Sequence, residues 1–154
     1  MVGIGIDVHP LKKGRKLVLG GVTIPHGLGL DGHSDADVLC HALIDALLGA
    51  TGQGDIGGLF GASDPRYKGV ASTTLLKKTM PRLKGYRLVN MDSTLMAEAP
   101  KLAPHIPAMK RVLSAILGVP QGRLNIKATT GKGLGEVGHK KAIAAHVVVQ
   151  VEKK

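Results

Sequence analysis

Segments typical of strands and of helices alternate along this chain, and this alternation limits the possible fold more than any other feature. Candidate strands cover residues 2–8, 17–24, 86–97, 124–129 and 143–151, and candidate helices cover residues 33–48, 72–83 and 104–117. No internal repeat and no long linker divides the 154 residues. We therefore expect a single compact domain, residues 1–154, of the α/β (α+β) class with a mixed sheet of four to five strands.

Glycine and short polar residues set the expected boundaries of several segments. Ser34, with Asp37 three positions later, resembles a capping box and predicts that helix 33–48 begins close to these residues. The glycine-rich stretches 52–69 and 131–138 are predicted to be loops. Because glycine lets the backbone approach a ligand closely, both loops are also candidates for binding segments.

The composition indicates a globular protein with a strongly basic surface. Lys and Arg total 21 against 11 Asp and Glu, a formal net charge of +10, and 44% of the residues are hydrophobic. With two Tyr, one Phe and no Trp, the chain lacks an aromatic platform for stacking single strands, so we expect no nucleic-acid partner. The charge is explained either by a solvated basic surface or by binding of a phosphorylated small molecule.

Two further features bear on the compartment. No apolar run approaches the ~18 residues of a membrane span, and the first residues do not resemble an export signal. Cys40 is the only cysteine, which excludes an intrachain disulfide and suits a reducing interior. A cytoplasmic location without a membrane partner is therefore expected.

Three residues from two distant segments form a candidate metal site. Asp7 and His9 are two positions apart at the end of the first strand, so their side chains point to the same face. His41 lies on the first predicted helix, within a row of ionisable residues at four-residue spacing that runs from Asp37 to Asp45. One carboxylate and two imidazoles, with a fourth position left open, are the usual ligands of catalytic zinc.

The same helix also has a simpler explanation. The row from Asp37 to Asp45 is equally typical of a polar helix face with its own hydrogen bonds. Asp35 and Asp37, near the helix start, would favour the helix dipole without any catalytic role. Cys40 is a tempting ligand beside His41, but adjacent helical residues diverge by about 100°. We therefore expect Cys40 to be a small buried residue.

A second group of residues is suited to binding phosphate. Ala128, Thr129 and Thr130 end a predicted strand and lead into the sequence Gly-Lys-Gly, so backbone amides and two hydroxyls are available together. The order of residues differs from a GxxxxGK[ST] loop, which excludes an ordinary nucleoside triphosphatase. Lys101, in a proline-bounded extended segment, is either a solvated cation or a further phosphate contact.

Five separated motifs, in this order, resemble one enzyme family. They are GIDVHP, GHSDADVLCHALIDALLGA, GDIGGLF, APKLAPHIPAM and NIKATTGKGLG. The chain resembles the 2-C-methyl-D-erythritol 2,4-cyclodiphosphate synthase family over essentially its whole length. The resemblance implies a phosphorus–oxygen lyase of the non-mevalonate isoprenoid pathway. Such an enzyme cyclises 4-diphosphocytidyl-2-C-methyl-D-erythritol 2-phosphate to the 2,4-cyclodiphosphate and releases CMP.

The resemblance also implies an assembly and a set of site residues. It implies a homotrimer whose sheets face the three-fold axis, with helices covering the other face and active sites between subunits. The implied ligands of Zn²⁺, or of another divalent transition metal, are Asp7, His9 and His41. His33 and Thr130 are the implied catalytic residues, and the implied substrate-binding residues are Ser34, Asp55, Gly57, Pro100, Lys101, Leu102, Ala103, Ala128, Thr129 and Thr130.

The chain departs from the family pattern at several positions. Ala62 stands where the family commonly has a carboxylate near the substrate, and Lys132 replaces the glutamate associated with a second divalent cation, Mg²⁺ or Mn²⁺. A lysine cannot ligate such an ion as a carboxylate would. We therefore do not include the second metal site among the features that the resemblance predicts. His139 and His146 stand where the family often has an arginine and a glutamate that line a central cavity of the trimer. The resemblance therefore predicts no ligand for a central cavity in this chain.

Two other functions compete with the synthase. A metal-dependent phosphatase would use the same zinc ligands but admit water as the attacking group. A catalytically impaired trimer that binds cytidine nucleotides would follow if the changes at Ala62 and Lys132 had removed turnover.

Overall fold

The computed structural model describes residues 1–154, and seven strands with five α-helices make up its regular structure. The strands are β1 (Val2–Lys12), β2 (Leu17–Leu19), β3 (Val22–Ile24), β4 (Gly29–Leu30), β5 (Tyr86–Met96), β6 (Leu124–Thr129) and β7 (Ala142–Lys153). The helices are α1 (Val38–Ala50), α2 (Ile56–Phe60), α3 (Ser72–Thr79), α4 (Ile106–Leu117) and α5 (Gly135–Gly138).

Five of the strands form one mixed sheet in the order β4-β1-β7-β5-β6. β7 pairs antiparallel with both β1 and β5, whereas β5 and β6 are parallel. The parallel pair is connected through α4, and β2 and β3 form a separate hairpin. The predicted α+β class and mixed sheet are confirmed, with five strands in the sheet.

Helix α1 packs directly onto one face of the sheet because two glycines of β1 leave room for its backbone. A Cβ atom at Gly3 would lie 2.0 Å from the carbonyl oxygen of Ala46, and one at Gly5 would lie 1.8 Å from that of Ala42. Any side chain at either position would therefore push the helix away from the sheet. This close contact places the first half of α1, which carries His41, against the middle of β1, where Asp7 lies.

The opposite face of the sheet carries exposed apolar side chains. Along β1, Val2, Ile4, Ile6 and Val8 each have more than half of their surface exposed. Exposed apolar residues in an unbroken stripe mark an interaction surface more often than a solvent-facing one. Among the helices, none is long and apolar enough to cross a membrane.

Several predicted boundaries were wrong. Helix α1 begins at Val38 rather than at residue 33, because Asp37 is its N-cap and accepts hydrogen bonds from the backbone N–H groups of Leu39 and Cys40. The predicted capping box of Ser34 and Asp37 therefore does not form. Neither glycine-rich stretch is all loop: 52–69 contains α2 and a short 3₁₀ turn at Pro65–Tyr67, and 131–138 contains α5.

Candidate metal and substrate site

A cavity of about 230 Å³ opens where β1, α1 and α2 meet. Its wall combines ionisable side chains from β1 and α1 with apolar side chains from α2 and α3. The lining residues are Asp7, His9, His33, Ser34, His41, Ile56, Gly57, Phe60, Gly61, Ala62, Tyr67 and Leu75. Four of the predicted metal and catalytic residues, together with Ser34 and Gly57, therefore line one cavity.

Asp7, His9 and His41 converge at the base of this cavity. Asp7 Oδ2 lies 3.0 Å from His9 Nε2 and 3.0 Å from His41 Nδ1, and the two ring nitrogens are 3.3 Å apart. In a tetrahedral site with metal–ligand bonds of 2.0–2.1 Å, neighbouring ligand atoms lie about 3.3 Å apart. The three atoms are thus already at the spacing that one divalent metal ion requires.

The hydrogen bonds of His9 support the same conclusion. His9 Nδ1 lies 2.7 Å from the carbonyl oxygen of Asp31, and because a carbonyl only accepts, Nδ1 carries the proton. In the neutral ring, Nε2 then presents a lone pair to Asp7 and His41. Three electron-rich atoms in van der Waals contact need a proton or a metal ion among them. The donor set therefore fits a divalent cation.

The titration behaviour of this cluster follows from its contacts. Burial alone would raise the pKa of Asp7, but when no metal is bound and the facing ring nitrogens of His41 and His9 carry protons, their hydrogen bonds to Asp7 outweigh that effect and lower this pKa to about 2. Burial opposes charging of His9, yet its hydrogen bond to Asp7 raises the pKa of the ring overall. The cluster consequently holds a carboxylate at neutral pH, the form that ligates metal.

The other acidic residues of the α1 row serve the fold. Asp37 is fully buried and also accepts the backbone N–H groups of Gly20 and Gly21, at 2.9 and 2.7 Å. Asp45 accepts the N–H of Ile56, at 2.7 Å, and so fixes the start of α2. The two explanations of the row therefore apply to different residues. Asp37 and Asp45 accept hydrogen bonds that stabilise the fold, whereas His41 belongs to the candidate metal cluster. Cys40 is buried as expected, and burial raises the pKa of its thiol.

The loop predicted to contact substrate adjoins the cavity. Asp55 caps α2 by accepting the N–H of Gly58 at 2.7 Å and does not itself line the cavity, whereas Gly57 does. His33 Nε2 donates to the carbonyl oxygen of Asp64 at 2.7 Å, which leaves Nδ1 as an acceptor. Ala62 also lines the cavity, so its wall lacks the carboxylate that the resemblance implied at this position.

The remaining predicted binding residues line a different cavity, of about 180 Å³, at the far edge of the sheet. Its wall comes from the segment that follows β5, and from the last residues of β6 with the residue after them. The lining residues are Ala97, Glu98, Pro100, Lys101, Leu102, Ala103, Ala128, Thr129 and Thr130. A single chain thus divides the predicted site into two separate cavities.

Sequence reasoning missed Arg15, which organises the loop before α1. Its guanidinium donates to the carbonyl oxygens of Leu30, Gly32 and Ser34, at 3.0, 3.1 and 2.7 Å. These bonds hold the backbone on both sides of His33. In the sequence Arg15 is one cation among several in a basic stretch, so only the three-dimensional contacts reveal its role.

The fold and the cluster together define an α+β protein with a candidate metal site, and comparisons with known proteins identify its family. The model of the YgbB family matches residues 1–152, and the chain belongs to this family. A 2-C-methyl-D-erythritol 2,4-cyclodiphosphate synthase from Gloeobacter violaceus is 53% identical over 154 residues, covering 99% of this chain and 94% of that protein.

Solved structures agree with this assignment. A 2C-methyl-D-erythritol-2,4-cyclodiphosphate synthase in its CDP-bound form superimposes with a TM-score of 0.89 at 38% identity, covering 99% of this chain and 100% of the other. The bifunctional IspDF of Campylobacter jejuni gives a TM-score of 0.95 at 40% identity, with this chain spanning 42% of its length. The comparisons confirm the predicted family and activity: the chain is an enzyme, a cyclodiphosphate synthase of the non-mevalonate isoprenoid pathway.

Proposed function

We propose that this enzyme cyclises 4-diphosphocytidyl-2-C-methyl-D-erythritol 2-phosphate and releases CMP. The observation that carries the proposal is the cluster of Asp7, His9 and His41 at metal-ligand spacing in the wall of a cavity. The attacking oxygen belongs to the 2-phosphate of the substrate, and the bond that breaks joins the β-phosphorus to the CMP oxygen. No protein nucleophile is needed, so the protein acts by positioning a flexible polyanion.

Asp7, His9 and His41 would hold Zn²⁺ or another divalent transition metal. When bound there, such an ion acts as a Lewis acid that withdraws charge from a diphosphate oxygen. The two imidazoles contribute no charge and the carboxylate contributes one negative charge, so the loaded cluster keeps a net positive charge. This charge suits a substrate whose phosphates are all anionic.

Residues around the cluster would bind and orient the substrate. Ser34 and Gly57 line the metal cavity and are assigned to the erythritol and diphosphate parts, with Asp55 holding the loop that contains Gly57. His33 is assigned as a catalytic residue beside the diphosphate. The second cavity is assigned to the cytidine end, where Pro100, Lys101, Leu102, Ala103 and Ala128 form the wall and Thr129 and Thr130 supply hydroxyls to phosphate, Thr130 as the second catalytic residue.

A homotrimer would unite the two cavities at each subunit interface. The exposed apolar stripe of Val2, Ile4, Ile6 and Val8 supports an assembly in which the sheets face the three-fold axis. Residues 1–154 would form the single domain of each subunit around one continuous apolar core. The cytoplasmic location, which rests on the lone cysteine, stays a prediction.

A second divalent cation is not part of the proposed site. Lys132 is exposed, and its backbone has φ +53° in the loop after Thr130. We expect its ammonium to neutralise phosphate charge directly, in place of Mg²⁺ or Mn²⁺. The rate of the wild type should then depend little on Mg²⁺, whereas Lys132→Glu should introduce a dependence; equal Mg²⁺ dependence in both proteins contradicts this role.

Phosphorus NMR of the reaction products tests the function. Cyclic diphosphate together with CMP, formed by the wild type and abolished by His41→Ala, is the expected result. Inorganic phosphate or linear products would instead identify a metal-dependent phosphatase. Tight binding of cytidine nucleotides without conversion would identify a nucleotide-binding trimer that has lost turnover.

A further inference from the structure

The ring nitrogen of His41 that faces away from the metal cluster is held by serine hydroxyls. His41 Nε2 lies 2.8 Å from Ser72 Oγ and 3.1 Å from Ser34 Oγ. Ser72 is the first residue of α3 and is fully buried. The contact therefore links the start of a second helix to the orientation of a proposed metal ligand.

Asp35 determines which way the Ser72 hydroxyl points. The Asp35 carboxylate accepts hydrogen bonds from both the hydroxyl and the backbone N–H of Ser72, the latter at 3.1 Å. An ionised carboxylate only accepts, so the single hydroxyl hydrogen of Ser72 is directed at Asp35. The lone pairs of Ser72 Oγ then face His41, and the bond between them requires the proton on His41 Nε2.

This arrangement fixes the chemistry at the other side of the ring. With the proton on Nε2, the neutral ring of His41 has its lone pair on Nδ1, the atom 3.0 Å from Asp7 Oδ2 that would ligate the metal. Carboxylates and carbonyls that bind the outer N–H of a ligating histidine orient its ring and raise its basicity. His9 obtains this support from the carbonyl of Asp31, and His41 obtains it through Ser72 from Asp35.

We propose that Asp35 and Ser72 are positioning residues that set the tautomer and orientation of His41 for metal binding. The inference rests on the proposed metal site, but neither residue touches the three ligand atoms. Asp35 acts through Ser72, so its effect depends on the serine hydroxyl. Ser34, which lines the cavity, belongs to the same network: its Oγ lies 3.3 Å from Ser72 Oγ and accepts the N–H of Ala36 at 3.1 Å.

Metal affinity of the metal-free protein, measured by competition with a chromophoric Zn²⁺ chelator, tests the proposal without any turnover. Ser72→Ala and Asp35→Ala are each expected to weaken Zn²⁺ binding by about 10–100-fold. The matched control is Ser93→Ala, a buried serine whose hydroxyl donates to a backbone carbonyl away from the cluster, and it should bind as the wild type does. Wild-type affinity in a folded Asp35→Ala or Ser72→Ala protein overturns the proposal.

Two further readouts separate positioning from general damage. The double variant of Ser72→Ala and Asp35→Ala should bind Zn²⁺ no more weakly than Ser72→Ala alone; losses that multiply would show that Asp35 does not act through Ser72. In the Zn²⁺-loaded wild type, a slowly exchanging Nε2–H signal of His41 is expected by ¹⁵N NMR and should disappear in Ser72→Ala, whereas its persistence overturns the proposal. Failure of the metal site itself has a different result: the wild type and His41→Ala would then bind Zn²⁺ equally.

Discussion

Asp7 and Ala128 lie in one row of the five-stranded sheet, separated by three strand spacings. The pairing runs from Asp7 to Ala145, from Ala145 to Leu95 and from Leu95 to Ala128. At about 4.8 Å per spacing, the two backbones are roughly 14 Å apart. The metal cluster and the second cavity therefore lie towards opposite edges of the sheet, an arrangement that supports the proposed active sites between subunits.

Mixing two inactive variants should restore activity if sites form between subunits. His41→Ala removes the metal side and Thr130→Ala weakens the phosphate side, so each variant alone should turn over poorly. After subunit exchange in an equimolar mixture, about a quarter of the interfaces in a closed ring should combine two intact halves. The measurement is the rate of CMP release before and after exchange.

The control for this experiment is a mixture of His41→Ala with Asp7→Asn, which damage the same half and should not complement. Sedimentation velocity on the wild type should give the mass of three chains. A fully active monomer, or a mixture no more active than its components, contradicts the shared site.

Asp37 is expected to be important for stability and not for chemistry. Asp37→Ala leaves buried N–H groups of Gly20, Gly21, Leu39 and Cys40 without an acceptor, which should lower the free energy of unfolding by about 2–4 kcal/mol. Urea denaturation of the metal-free proteins measures this loss. Asp45→Asn, which affects a single accepted N–H group, should lower the free energy of unfolding clearly less. An equal loss would show that the four hydrogen bonds accepted by Asp37 stabilise the fold no more than the single bond accepted by Asp45.

Much of the fold was predictable because it is encoded in local patterns. The segment 86–97 reads as a strand, and the alternation of its side chains agrees with the burial of Met91, Ser93 and Leu95. The start of α1 was wrong because Ser34 and Asp37 both have the chemistry of a cap. In the structure Ala36 has φ +57°, outside the helical region, so the helix begins after it with Asp37 as the N-cap.

The three metal residues were predictable because Asp7 and His9 share one strand face and because the family resemblance implies His41 as the third ligand. The residues that support them were not. Asp35 was expected at most to favour the helix dipole, whereas it binds Ser72, which is 37 positions away. Likewise, the contacts of Arg15 with three carbonyls carry no signal in the sequence. Long-range hydrogen bonds of this kind depend on tertiary packing, which no local pattern specifies.

Arg15 is expected to maintain the loop that carries His33 and Ser34. Arg15→Lys keeps the charge, but an ammonium on a flexible stem cannot replace the planar fork that reaches three carbonyl oxygens. Displacement of the loop that carries the proposed catalytic His33 should lower kcat by about tenfold and raise KM for the substrate to a smaller extent. Steady-state kinetics measures kcat and KM separately. Lys16→Ala, a change at the neighbouring residue, is the control and should resemble the wild type.

The ion pair of Asp92 with Lys127 should make a small, pH-dependent contribution to stability. Hydrogen bonds from Lys127 and Asn125 lower the pKa of Asp92 below its ordinary 3.8. Because the folded-state pKa is depressed, the contribution is present above pH 3.8 and is lost as the pH falls through the lowered value. Since both side chains are about half exposed, Asp92→Asn should reduce the free energy of unfolding by less than about 1 kcal/mol near neutral pH.

Urea denaturation at pH 6 and pH 3 measures the difference in the free energy of unfolding between the wild type and Asp92→Asn. The difference should shrink at the lower pH, whereas a difference that grows on acidification would contradict the assigned direction of the pKa shift.

The most direct test of the central claim is the rate of cyclic diphosphate formation while Zn²⁺ is titrated into metal-free protein. The rate should rise in proportion to bound metal and level off at one ion per chain, and His41→Ala should stay inactive throughout. Full cyclisation by protein free of any divalent metal, or undiminished activity in His41→Ala, would contradict the role assigned to Asp7, His9 and His41.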